Sequence, residues 1–156
     1  MKVRSNLLIA SLVTGLVTLS TVQAQEKKLK REQLPPAVEK TVAEQSRDAT
    51  IRGFATEMEK GKKLYEVELS VNGHTKDVSM DAQGNVLEVE EEVAMDSLPA
   101  AVREGLTKMA GAGTISKVES LTKKGSLVAY EAVVKTGTKR REIQVGPDGR
   151  TLTKPE

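Results

Sequence analysis

The chain states nearly the same sentence twice. Leu34-Pro35-Pro36-Ala37-Val38 returns as Leu98-Pro99-Ala100-Ala101-Val102. Thr50-Ile51 returns as Thr114-Ile115 and Gly61 as Gly125, all at an offset of 64. Tyr65-Glu66 returns as Tyr130-Glu131, Val78 as Ile143, Met80 as Val145, Gly84 as Gly149 and Leu87 as Leu152, at an offset of 65. One inserted residue between positions 61 and 65 accounts for the change. Self-similarity at a fixed period constrains architecture before any single residue does. It predicts two copies of one small α/β unit.

The first 24 residues read as a targeting segment rather than as fold. Lys2 and Arg4 form a positive start, Leu7 to Leu19 is mostly apolar, and Val22-Gln23-Ala24 suits cleavage before Gln25. The apolar stretch falls short of the roughly 20 residues that span a bilayer. No cysteine follows the cut or occurs anywhere, so neither a cysteine-linked lipid anchor nor a disulfide is expected. A small exported domain without disulfides points to a bacterial periplasm or medium. Loss of Lys2 and Arg4 lowers Lys+Arg from 24 to 22, against 22 Asp+Glu. The mature chain is formally neutral, which removes the main argument for nucleic-acid binding. Its core must be aliphatic, because Phe54, Tyr65 and Tyr130 are the only aromatic residues.

Gln25 to Gln33 is charged and without apolar periodicity, and reads as a frayed tail. Each copy then opens on Leu-Pro, and proline suits the first turn of a helix. Val38, Thr41, Val42 and Gln45 share one helical face, as do Val102, Leu106 and Met109. Asp96 and Ser97 are candidate caps of the second helix, and Gly111-Ala112-Gly113 a stop signal. Gly105 within that helix costs about 1 kcal/mol relative to Ala on propensity.

Strands follow. The first is expected over Ile51 to Met58 and Ile115 to Thr122. Tyr65, Val67, Leu69 and Val71 alternate with Glu66, Glu68 and Ser70, the period of a half-buried strand, and Val128 to Val134 repeats it. Asn72-Gly73 and Thr136-Gly137 read as hairpin turns, with Val78 and Met80, or Ile143 and Val145, inward in the strand after. Turns at Asp81–Asn85 and Gly146–Arg150 lead to a fourth strand, Val86 to Glu90 and, more briefly, Thr151 to Lys154. The predicted fold is α+β: two tandem repeats of one helix and an antiparallel four-strand meander, with helices on one face of the sheet. The other face carries Glu66, Glu68, Thr75, Asp77 and Ser79 from copy one, and Glu131, Lys135, Arg140, Glu142 and Gln144 from copy two. An antiparallel sheet tolerates one wet face.

These motifs together resemble the PepSY-like domains, grouped with the β-lactamase-inhibitory-protein-like fold. They are Leu-Pro-x-Ala-Val, a helix, a strand opening Thr-Ile, Tyr-Glu, an Asn-Gly-type hairpin and an Asp-x-x-Gly turn. The resemblance covers Leu34 to Leu87 and Leu98 to Leu152. It implies an exported bacterial protein that binds or inhibits other proteins, often peptidases. The expected divisions are a signal peptide (1–24), a charged tail (25–33), PepSY-like repeats at 34–93 and 98–156, and a linker (94–97). One departure stands out. Inhibitors of this class grip their enzyme with aromatic side chains, whereas Tyr65 and Tyr130 here are in phase with the buried valines. Tight β-lactamase inhibition is therefore not expected.

Catalytic chemistry has little to work with. His74 is the only histidine and sits beside a hairpin glycine, so a Ser–His–acid site would have to be built around a turn. No cofactor is expected, and zinc would want more His or Cys ligands. Asp81-Ala82-Gln83-Gly84-Asn85 with Glu88, Glu90, Glu91 and Glu92 hints at calcium but lacks the spaced ligands of a dedicated loop, so a solvated turn and acidic linker is the ordinary reading. Lys139-Arg140-Arg141 fits either an acidic partner or the protection of a sheet edge.

The expected function is that of an exported, non-enzymatic protein-binding module, an inhibitor of an extracytoplasmic enzyme being its specific version. The candidate binding residues are Glu66, Glu68, Asp77, Glu131, Arg140 and Glu142 on the polar face, with no metal. The partner would be another exported protein or peptide, with no membrane anchor after cleavage. A periplasmic small-ligand or cation sensor using the acidic face is the alternative. Oligomeric state is not readable.

Overall fold

The computed structural model describes residues 26–59 and 61–156. The expected signal peptide lies outside the described residues. Ten elements follow in order: β1 (Lys27–Leu29), α1 (Pro36–Gln45), β2 (Thr50–Glu59), β3 (Lys62–Val71), β4 (His74–Met80), β5 (Val86–Glu92), α2 (Ala100–Ala110), β6 (Thr114–Lys123), β7 (Ser126–Thr136) and β8 (Lys139–Val145). Short 3-10 turns at Arg31–Gln33 and Met95–Ser97 precede the two helices.

The strands form one antiparallel sheet in the order β1-β2-β3-β4-β5-β6-β7-β8. This overturns the expected fold class of two tandem helix-plus-four-strand units. β5 does not end a unit; it pairs with β6, from Glu88 opposite Lys123 to Glu92 opposite Glu119. The backbone groups on the outer side of β5 would otherwise stay unpaired, and continuing the ladder satisfies them. The second helix is followed by three strands, because Thr151 makes only an isolated bridge to Val145. The tail supplies an extra strand: Lys27, Lys28 and Leu29 pair with Thr56, Ala55 and Phe54, so this part of 25–33 is not frayed.

Both helices lie on one face. α1 buries Val38 and Val42 against Val67, Leu69, Val78 and Met80. α2 buries Val102, Leu106 and Ala110 against Val118, Ala132, Val134, Ile143 and Val145. Each Val, Leu, Ile or Met side chain among them contributes about 1.5–3 kcal/mol when fully buried, which is what holds helices of ten and eleven residues in place. Pro35 and Pro99 occupy the positions just before the helices, and Gly111 ends α2 with φ +60°. Asp96 and Ser97 do not cap α2; they sit in the preceding 3-10 turn.

A carboxylate-lined sheet face

The strand registers put Glu57, Glu66, Glu68, Asp77, Glu88, Glu90, Glu119 and Glu131 together on the face away from the helices. The period-2 alternation of each strand sends its valines to one side and these acids to the other. The face is not simply wet. Leu121, Ala129 and Val133 on it are buried, and most of the acids are half-buried.

Like charges oppose one another across three strands. Asp77 stands opposite Glu68 on β3 and opposite Glu90 on β5. Carboxylate oxygens of Asp77, Glu90 and Glu119 all lie within 4.8 Å of one another. A cleft of about 180 Å³ beside them is lined by Glu57, Glu66, Asp77, Ser79, Glu88 and Glu90. Directly opposed like charges destabilise a sheet. Two lysines offset part of this. Lys117 Nζ lies 2.6 Å from Glu119 Oε1, an ion pair rather than an aligned hydrogen bond, and Lys123 Nζ lies 3.2 Å from Glu88 Oε2.

The protonation equilibria follow. Burial, and then the charge of Asp77, push the Glu66 carboxyl up to about 7. Burial pushes Asp77 up to about 6, with Lys117 opposing and Glu119 adding. Glu90 is raised well above the usual carboxylate range, by burial first and then by Glu119 and Glu88. Burial also raises Glu57 and Glu131, the latter against the hydrogen bond that Gln144 Nε2 donates to Glu131 Oε2 at 2.7 Å. Burial disfavours the charged form of Lys117, but the Glu119 carboxylate outweighs it and the ammonium is held above its ordinary value.

Of the six residues expected from the sequence, Glu66, Glu68 and Asp77 lie within the acidic cluster. Glu131 lies on the next strand, β7, opposite Glu119. Arg140 and Glu142 share the face but stand on the outermost strand, exposed and 3.4 Å from each other. Sequence reasoning missed Glu57, Glu88, Glu90 and Glu119 as members. The signal was present for Glu88 and Glu90, which alternate with Leu87 and Val89, yet the acidic run reads as a linker. Glu91 of that run pairs with Lys76 on the helix side of the sheet.

The candidates for chemistry separate. Asp81 is engaged by its own turn, its Oδ1 accepting from the Gln83 and Asn85 N–H groups at 2.9 Å each. His74 is exposed, with Nδ1 4.0 Å from Glu92 Oε1. No helix among the described residues is long and apolar enough to cross a membrane.

Comparison with known proteins agrees with this architecture. Residues 20–87 and 63–150 both match the family described as "Putative beta-lactamase-inhibitor-like, PepSY-like". No curated protein matches. Similar solved structures come from Bacteroides. A protein of B. eggerthii described as "putative periplasmic" is 18% identical, with TM-score 0.63, covering 76% of this chain and 86% of its own. A DUF2874 family protein of B. ovatus is 18% identical, with TM-score 0.60, covering 77% and 85%. A BLIP-like protein of B. fragilis is 23% identical, with TM-score 0.56, covering 74% and 81%. At these identities the likeness is one of fold, whereas the family match spans most of the sequence: the chain belongs to the PepSY-like, beta-lactamase-inhibitor-like family.

Proposed function

We propose that this is an exported binding module, without chemistry of its own, that receives a cationic segment of another exported protein or peptide on its carboxylate face. The single observation that carries this reading is the opposition of half-buried carboxylates across β3, β4 and β5, beside which, among the described residues, Lys117 and Lys123 form ion pairs with Glu119 and Glu88. A Lys- or Arg-bearing partner laid over these strands relieves that repulsion in a partly desolvated setting, where charge attraction is stronger than in water. Membership of a beta-lactamase-inhibitor-like family supports protein recognition, and the periplasmic description of a structural neighbour supports export. Inhibition of an extracytoplasmic enzyme is one form this recognition would take.

The test uses the mature chain, immobilised at pH 8, against periplasmic and secreted proteins of its source. A neutral variant (Glu66→Gln, Asp77→Asn, Glu90→Gln) keeps side-chain shape and is the control. A basic protein retained by the wild type, released by salt and lost by the variant is the expected result. Equal retention by both would reject the face as the binding surface.

A second reading is favoured by one specific observation, the approach of Asp77, Glu90 and Glu119 oxygens within 4.8 Å. A divalent cation held there would make the protein a cation sensor. Millimolar calcium or magnesium should then raise the melting temperature of the wild type and not of Asp77→Asn, since a ligand of the folded state stabilises it. No shift in the wild type would eliminate this reading.

A further inference from the structure

β8 is the last strand of the sheet, and its outer edge is closed at one end. β7 pairs along its inner side. After Val145 the chain turns back through 146–149, and Thr151 bridges to Val145. With β7 on the inner side, this bridge must occupy the outer edge. The open part is Lys139 to Ile143, and its central residue is Arg141.

The charges along this open edge are of both signs. On the carboxylate face stand Arg140 and Glu142, with side chains 64% and 55% exposed. On the helix face stand Lys139, Arg141 and Ile143, in phase with Thr136, Val134 and Ala132 of β7. The Arg141 guanidinium is engaged already: Nη2 donates to the carbonyls of Met109 at 2.8 Å and Ala110 at 3.0 Å. Those carbonyls end α2, where the helix dipole is negative and a cation is favoured.

We propose that the open edge of β8 pairs with the same edge of a second copy of this chain, antiparallel, about a two-fold axis through Arg141. In that register Arg140 stands opposite Glu142 of the second copy, and Glu142 opposite its Arg140. Lys139 stands opposite Ile143. The two Arg141 residues meet at the axis, each with its charge drawn toward its own α2 terminus. Cross-strand pairs of opposite charge stabilise an antiparallel ladder. The pairing satisfies backbone groups that an edge leaves open and gives the self-complementary contact of a two-fold dimer.

The sign pattern distinguishes this from simple edge protection. Charges placed only to repel other strands need one sign. The opposite edge has that character, with Lys27 and Lys28 on β1 and Leu29 completing its three residues. Arg140 and Glu142 at a spacing of two residues instead complement their own two-fold image. The inference is independent of what the carboxylate face binds.

The test is the mass of the mature chain in solution by sedimentation, from micromolar to millimolar concentration. The wild type should shift from monomer to dimer. Arg140→Glu and Glu142→Arg should each remain monomeric, with circular dichroism confirming the fold. An equimolar mixture of these two variants should dimerise again, because each then faces its complement. The double exchange R140E/E142R should dimerise by itself. A wild type that stays monomeric to millimolar overturns the proposal. So does a single variant that dimerises as well as the wild type, or a mixture that does not recover.

Discussion

The hydroxyl of Thr41 on α1 donates to the carbonyl of Gly84, in the turn between β4 and β5, at 2.7 Å. This contact pins a helix to a turn 43 residues away. The same junction is built differently in the second half. Gly105 stands at the position of Thr41 and Gly149 at that of Gly84. There the turn presses so close that a β-carbon on Gly105 would collide with the Gly149 carbonyl oxygen. Gly84 and Gly149 also have φ of +78° and +79°, a region that favours glycine.

The sign of a Gly105→Ala substitution is therefore reversed from its helix propensity. Propensity alone favours Ala by about 1 kcal/mol. The collision with a backbone carbonyl, which cannot swing away, should instead destabilise by about 1–3 kcal/mol. Urea unfolding of the variant measures this directly. Thr41→Ala, which only loses a partly buried hydrogen bond, should cost about 1 kcal/mol. A more stable Gly105→Ala would show that the turn relaxes freely.

Stability should fall as the solution is made more alkaline from pH 5 to pH 8. Glu66 and Asp77 titrate near 7 and 6 in the folded protein, against roughly 4.3 and 3.9 in an unfolded chain. The folded state thus binds protons more tightly. Its advantage is full below the unfolded values and is lost as pH rises through the folded ones. Glu90, raised by burial and its acidic neighbours, acts in the same direction. Melting temperatures at constant ionic strength across this range should decline; a flat or rising profile would contradict the burial of these acids.

Glu90→Gln should stabilise the protein at pH 8 and have little effect at pH 5. The amide removes one carboxylate from the ladder with Asp77 and Glu119 while keeping the shape of the side chain. Relief of one opposed pair amounts to about 1 kcal/mol. Thermal unfolding of wild type and variant at the two pH values separates charge relief from a packing change, which would appear equally at both.

Arg141→Ala should loosen the end of α2. The guanidinium serves the carbonyl of Met109 in the last turn of the helix and shares that of Ala110 with the Gly113 N–H. A loss of about 1–2 kcal/mol is expected. Hydrogen exchange should quicken in the last turn of α2 and at β8, while α1 and β3 keep their protection. Arg141→Lys should recover only part, because an ammonium lacks the planar fork of donors.

Much of this structure is local and was readable. The alternation of Tyr65, Val67 and Leu69 with Glu66 and Glu68 sets which side of β3 meets a helix, since successive side chains of a strand must point oppositely. Leu-Pro starts and glycine turns likewise act through backbone geometry within a few residues. What happens between distant strands was not readable. Glu90 and Glu119 are neighbours because β5 joins β6 across the whole of α2, and nothing near either residue announces that pairing. The half-buried state of the acids depends on it, and so does the correction of the expected two-unit fold.

By itself, the sequence determined the two helices, strands β2 to β8 and the sorting of apolar from acidic side chains, because period and turn chemistry are properties of the nearby chain. Only the tertiary structure decided that the strands make one sheet, that its acids crowd instead of scattering, that Gly105 is required for contact, and that β1 and β8 form its edges. Those outcomes depend on backbone groups far apart in sequence finding hydrogen-bond partners, and no local pattern specifies which partner each will take.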